Sequence, residues 1–192
     1  MDNLFKRNIL EHLEVMGNLY HIEQDVEQAI SVITECFGSG KKLLICGNGG
    51  SAADSQHIAA EFTGRFIHNR KPLPAIALST DSSALTSISN DYSYEDVFSR
   101  QLEAIGREGD CLLGISTSGN SKNVLKAVSM AKQLKIKSIC FLGRDGGILA
   151  EQCDIPIIVD SDVTARIQEA HILIGHTICG GIEQELNLVP CL

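Results

Sequence analysis

The chain has 192 residues, 44% of them hydrophobic and 21% charged, with a formal net charge of −8. That length and apolar content suit a single globular domain over residues 1–192, and a net negative charge without any lysine or arginine block excludes non-specific binding to nucleic acid or to an anionic membrane. The longest apolar runs, CLLGI and IPIIV, fall far short of the roughly 20 residues that cross a bilayer, and residues 1–5 open no signal peptide, so the expected location is the cytoplasm.

In chain order, Ile9, Leu13, Met16 and Tyr20, then Val26, Ile30, Ile33 and Phe37, recur at helical spacing, with Gly17 and Asn18 weakening the middle. One or two long helices are expected here. Two partners suit their apolar faces, another subunit or the protein's own sheet. From residue 41 the pattern changes to short apolar runs: KLLICG (42–47), AIALS (75–79), CLLGIS (111–116), SICFLG (138–143) and IPIIVD (155–160). Continuous rather than alternating apolar strands, separated by helical stretches, predict a parallel sheet buried on both faces. The fold class is therefore a doubly wound, three-layer α/β sandwich with a five-stranded parallel sheet. Four of the seven cysteines fall in or beside apolar runs and none forms a CxxC pair; they read as small buried apolar groups, not as a zinc knuckle or a disulfide framework. A last helix is expected from Thr164 to Leu186, with Pro190 marking its end.

In such sheets ligands bind beyond the carboxyl ends of the strands, where strand order reverses. The loop after the first strand, CGNGGSAAD, has Gly47, Gly49 and Ala52 in a G-x-G-x-x-A spacing that a dinucleotide site tolerates. The acid expected about 20 positions on is absent; Asp81 is the nearest after the second strand, and no lysine follows the glycines as a Walker loop requires. The loop after the third strand, STSGNS, sets Ser116, Thr117, Ser118 and Ser121 around Gly119, just before a helix expected to begin near Lys122. Four hydroxyls beside free helix amides suit a phosphate monoester. The competing reading is a helix cap from Ser118 or Ser121, for which one hydroxyl would suffice.

His57 and Glu61, four residues apart, share one face of the helix after the first loop, as a surface pair or as half of a metal site. Gln168 and His176 lie about 80° apart on the last helix. His171 fits equally well on spacing, and each histidine also suits a satisfied core position.

The segments CGNGGSAAD, HIAAEFTGRF, NDYSYEDVFSRQ, GISTSGNSKNV and TARIQEAHILIGH together resemble the sugar isomerase (SIS) domain proteins, and within them the bacterial phosphoheptose isomerases. The resemblance runs over nearly the whole chain, STSGNS marking SIS domains in general and TARIQE with its downstream histidine marking the heptose enzymes. It implies a SIS, flavodoxin-like fold and an aldose–ketose isomerase acting on sedoheptulose 7-phosphate through an enediol, giving D-glycero-D-manno-heptose 7-phosphate for lipopolysaccharide core or capsule. It implies zinc at His57, Glu61, Gln168 and His176, with Glu61 and His176 as acid/base residues. The phosphate would fall to Ser116, Thr117, Ser118 and Ser121, and the sugar to Asn48, Gly49, Gly50, Ser51, Asn90, Asp91, Glu61 and Gln168. Arg65 suits either a structural or a sugar-side role. The resemblance further implies a homotetramer with shared active sites, residues 1–38 supplying the interface. A non-enzymatic SIS protein that binds the replication initiator DnaA is the alternative, although such relatives tend to lack part of the acid/base set that this chain carries.

Overall fold

The computed structural model describes residues 3–189; Cys191 and the Pro190 expected to mark a helix end lie outside them. Helices α1 (Leu4–Gly17) and α2 (Glu23–Gly38) flank a 3-10 turn at Leu19–Ile22. The break falls at Gly17 and Asn18, where glycine offers no side chain to support a helix interior. Strand β1 (Leu43–Gly47) leads into α3 (Gly50–Thr63); β2 (Ala75–Ala77) is followed by α4 (Ser82–Asp91) and α5 (Val97–Ile105). Then come β3 (Cys111–Ser116), α6 (Lys122–Gln133), β4 (Lys137–Gly143), α7 (Gly147–Gln152), β5 (Ile155–Val159) and α8 (Thr164–Glu185).

All five strands run parallel in the order β2-β1-β3-β4-β5, the doubly wound sheet that the apolar runs predict. Strand β2 is shorter than its run AIALS suggests. It is an edge strand paired only with β1, and Thr80 donates to the Ala77 carbonyl at 2.9 Å as the chain turns away.

Successive strand residues enter opposite cores, as the two-residue period demands. Leu43, Ile45, Leu113 and Phe141 pack under α2, α3 and α8. Leu44, Cys46, Leu112 and Leu142 pack under α5, α6 and α7. Among the described cysteines five are buried and Cys153 is half-buried, and burial pushes the Cys46 thiol up to about 12. Helix α1 buries none of its residues in this chain, leaving Leu4, Phe5, Ile9, Leu10 and Leu13 exposed. No helix among the described residues is long and apolar enough to cross a membrane.

Candidate active site

Strand order reverses between β1 and β3, whose neighbours lie on opposite sides of the sheet. The crevice beyond their carboxyl ends is where such sheets bind ligands, and both loops singled out in the sequence open into it. Asn48, first residue after β1, and Asn123, in the first turn of α6, exchange side-chain amide hydrogen bonds at 2.9 and 2.8 Å. Tyr94 donates its hydroxyl to the same Asn48 Oδ1 at 3.1 Å, which brings the segment after α4 to the crevice.

Gly49 has φ +55°, a left-handed conformation that glycine adopts without steric penalty. Gly50 serves a different purpose: a Cβ there would lie 2.2 Å from Gln168 Nε2. The glycine thus lets the amide of α8 reach the first turn of α3.

In the second loop, the Ser116 and Ser121 hydroxyls lie 2.8 Å apart, and Ser118 Oγ accepts from the Asn120 amide at 3.2 Å. Ser121 occupies the N-cap position of α6, yet its side chain makes no capping bond. The cap reading is therefore not met, and the helix end keeps donors that an anion can use. The loop is fastened from behind. Gly119 has φ +65°, a Cβ on it would lie 2.0 Å from the Gly146 carbonyl oxygen, and its own carbonyl accepts from Leu149 N–H at 3.0 Å. Ile148 N–H donates to Asn120 Oδ1 at 3.1 Å.

On the α3 and α8 side of the molecule, His57 Nε2 lies 3.0 Å from Glu61 Oε1 and 3.4 Å from His176 Nε2. The three side chains can place one donor atom each within 4.8 Å of one another. The His57 and His176 rings meet edge-on at 5.0 Å, and Phe66 stacks on His176 at 5.3 Å, which fixes the imidazole that reaches across from α8. Two nitrogens each about 2.05 Å from a tetrahedral ion stand roughly 3.3 Å apart. The observed pair of nitrogens, joined by a carboxylate oxygen, therefore fits zinc both in donor type and in spacing. Gln168, the fourth expected ligand, lies against Gly50 at the start of α3, seven residues before His57.

His171 is settled differently. Its ring is fully buried, Nε2 donates to the Leu142 carbonyl at 3.0 Å, and burial pushes its pKa down to about 4. It is a core histidine against the sheet. Arg65 is exposed and donates to the Ile67 carbonyl at 2.8 Å. Asn90 and Asp91 end α4, exposed and bonded to each other at 2.8 Å. Ser51 is buried, 4% exposed.

Three residues went unmarked in the sequence. Asn123 and Tyr94 fasten Asn48, and only the polar NDYSY stretch hinted at the second. Asp54, three residues before His57 and so on the same helix face, has an Oδ2 without a hydrogen-bond partner among the described residues; partial burial holds its carboxyl above the usual range, with the nearby His57 opposing that rise.

Residues 6–143 match the SIS domain family. A phosphoheptose isomerase of Clostridium acetobutylicum is 51% identical over 189 residues, covering 97% of this chain and 96% of the relative. One of Helicobacter pylori is 52% identical over 185 residues, with 96% of each chain covered. The solved structure of phosphoheptose isomerase GmhA from Neisseria gonorrhoeae superposes with a TM-score of 0.89 at 43% identity, covering 95% of this chain and all of that one. That from Francisella tularensis superposes at 0.91 and 37% identity, over 96% of this chain and all of the other. The convergence of His57, Glu61 and His176 from α3 and α8 thus occurs in a chain that belongs to the phosphoheptose isomerases of the SIS domain family.

Proposed function

We propose that the chain interconverts sedoheptulose 7-phosphate and D-glycero-D-manno-heptose 7-phosphate, and the observation that carries this reading is the convergence of His57, Glu61 and His176 from two helices distant in sequence. The Ser116, Thr117, Ser118 and Ser121 hydroxyls and the first amides of α6 hold the phosphate. Binding energy from that remote group positions the reacting end of the sugar. Asn48, Gly49, Gly50 and Ser51 line the sugar chain, Gln168 meets it from α8, and Asn90 and Asp91 take hydroxyls.

In the ketose-to-aldose direction Glu61 takes the proton from C1 and returns it to C2. His176 protonates the C2 oxygen as the enediol forms, then takes the proton from the C1 oxygen as the aldehyde appears, which restores its starting state. A zinc ion held by His57, Glu61, Gln168 and His176 would act as a Lewis acid toward the sugar oxygens.

Two features of the surface support a homotetramer with shared sites. The exposed apolar face of α1 has no partner in this chain among the described residues. A groove of 790 Å³, lined by Met16, Tyr20, Ile30, Phe66 and Leu173, also reaches His176, so a second copy seated there would wall the triad. A cytoplasmic setting agrees with the unpaired cysteines, and the product suits the first step toward nucleotide-activated heptose for lipopolysaccharide core or capsule. Incubation with sedoheptulose 7-phosphate, with aldose measured by chromatography, tests the assignment. Absence of product both with and without added zinc would overturn it in favour of the DnaA-binding alternative.

A further inference from the structure

We infer that Arg70 and Glu183 form a buried clamp that sets the spacing of α3 and α8, and through it the approach of His57 and Glu61 to His176. Arg70 Nε donates to Glu183 Oε1 at 2.7 Å, with the two side chains 1% and 2% exposed. The rest of the guanidinium grips the end of α3. Its two terminal nitrogens donate to the carbonyls of Glu61 and Phe62, each at 2.6 Å, and to those of Gly64 at 3.0 Å and Lys71 at 3.1 Å.

Helix α3 has no basic residue in its last turn. Arg70 supplies the positive charge that a helix carboxyl end favours, and its fork reaches carbonyls that have no partner within the helix, that of Phe62 also accepting from Leu73 N–H at 2.9 Å. One of those carbonyls belongs to Glu61 itself, so the backbone that carries the acid/base carboxylate is held directly.

Glu183 works from the other side. It lies seven residues after His176 on α8, on nearly the same stripe and about 10 Å along the axis, and it also accepts from Phe66 N–H at 3.3 Å. Phe66 is the residue stacked on His176. The ion pair therefore touches both halves of the triad. The buried thiol of Cys179 lies among the same charges: burial, then the Glu61 and Glu183 carboxylates, push it up to about 12, with Arg70 opposing.

A pair that only stabilised the fold could be exchanged for apolar side chains of similar size with little loss. A positioning pair could not, because an apolar contact lacks the direction of the fork. The inference rests on His57, Glu61 and His176 being the metal and proton-transfer site. Its test uses Glu183→Gln and the double variant Arg70→Met with Glu183→Leu. Each is measured by thermal unfolding, by zinc titration of the metal-free protein in a calorimeter and by separate kcat and KM for sedoheptulose 7-phosphate.

The double variant is expected to unfold at a lower temperature than the parent, because the carbonyls at the end of α3 lose their donors. At temperatures where it remains folded, it is expected to lose roughly tenfold or more in zinc affinity and in kcat, the scale on which residues that orient ligands act, with KM little changed. Glu183→Gln, which keeps an acceptor for Arg70, is expected to fall between. Either variant folding with parental zinc affinity and kcat overturns the clamp. If the parent itself neither binds zinc nor turns over the substrate, the proposed function fails instead. The clamp is then judged on amide hydrogen exchange in residues 60–63, where unchanged protection in Glu183→Gln refutes it.

Discussion

Asn48 and Asn123 face one another across the point where the sheet reverses direction, each amide serving as both donor and acceptor at 2.9 and 2.8 Å. The contact joins the loop proposed to line the sugar to the helix proposed to receive the phosphate. Asn123 is buried, so truncating it strands the Asn48 amide and is expected to destabilise the protein by about 1–3 kcal/mol. For Asn123→Ala we expect KM to rise several-fold and kcat to change less. Urea unfolding and initial rates check both, and an unaltered KM would remove the crevice contact from substrate binding.

Glu61→Gln preserves the size of the side chain and its ability to meet His57, but not a base. A loss of turnover of about 10²–10⁴-fold is expected, while sedoheptulose 7-phosphate still binds by calorimetry. A variant that retained the parental rate would take the proton transfer away from Glu61.

Alanine at Ser118 or Ser121 removes a hydroxyl from the loop and leaves the α6 amides in place. Both variants are expected to raise KM and to weaken competitive inhibition by inorganic phosphate, with kcat largely retained. A fall confined to kcat would contradict the assignment of these hydroxyls to the phosphate.

Removing metal with a chelator is expected to abolish activity and adding zinc to restore it. Because zinc would bind the folded triad, its presence at about 100 times the dissociation constant should stabilise the fold by about 2.7 kcal/mol. His57→Ala should lose that increment in a thermal melt. An equal increment in parent and variant would place any zinc elsewhere.

The buried imidazole of His171, depressed to about 4 from 6.5, makes stability depend on pH in a definite sense. Between those values the unfolded chain holds a proton that the folded chain refuses, so stability declines as pH falls from about 6.5 toward 4, by up to roughly 3 kcal/mol. Below 4 both states are protonated and this contribution stops changing. Melts from pH 8 to 5 should show a shallower slope in His171→Asn, whose amide can still donate to the Leu142 carbonyl; identical slopes would refute the assignment.

The five strands could be read from the sequence because burial on both faces makes each a continuous apolar run, and four of them ended within a residue of the expected place. Strand β2 departed because the chain turns away early, with the Thr80 hydroxyl donating to the Ala77 carbonyl. The choice between His171 and His176 was out of reach: they lie five residues apart, about 140° around the helix, and only the packing of α8 decides which of them meets the sheet. The Asn48–Asn123 contact was equally hidden, since its partners are 75 positions apart and no local pattern records a pairing made by strand order. By contrast His57 and Glu61 were visible as neighbours because a single helical turn joins them.

The contact between Gly119 and Gly146 bears on how a ligand would be received. A Cβ on Gly119 would lie 2.0 Å from the Gly146 carbonyl oxygen, and one on Gly147 would lie 2.8 Å from the Gly119 backbone, so the STSGNS loop is cast against a second loop and has no room to flex inward. If this loop takes the phosphate as proposed, the ligand meets a cup already in shape, and its binding demands little further ordering of the chain. On that proposal, discrimination among sugar phosphates would fall to chain length, which sets whether the carbonyl reaches Glu61 and His176. On the same proposal, a shorter ketose phosphate would be gripped as firmly and left short of the chemistry.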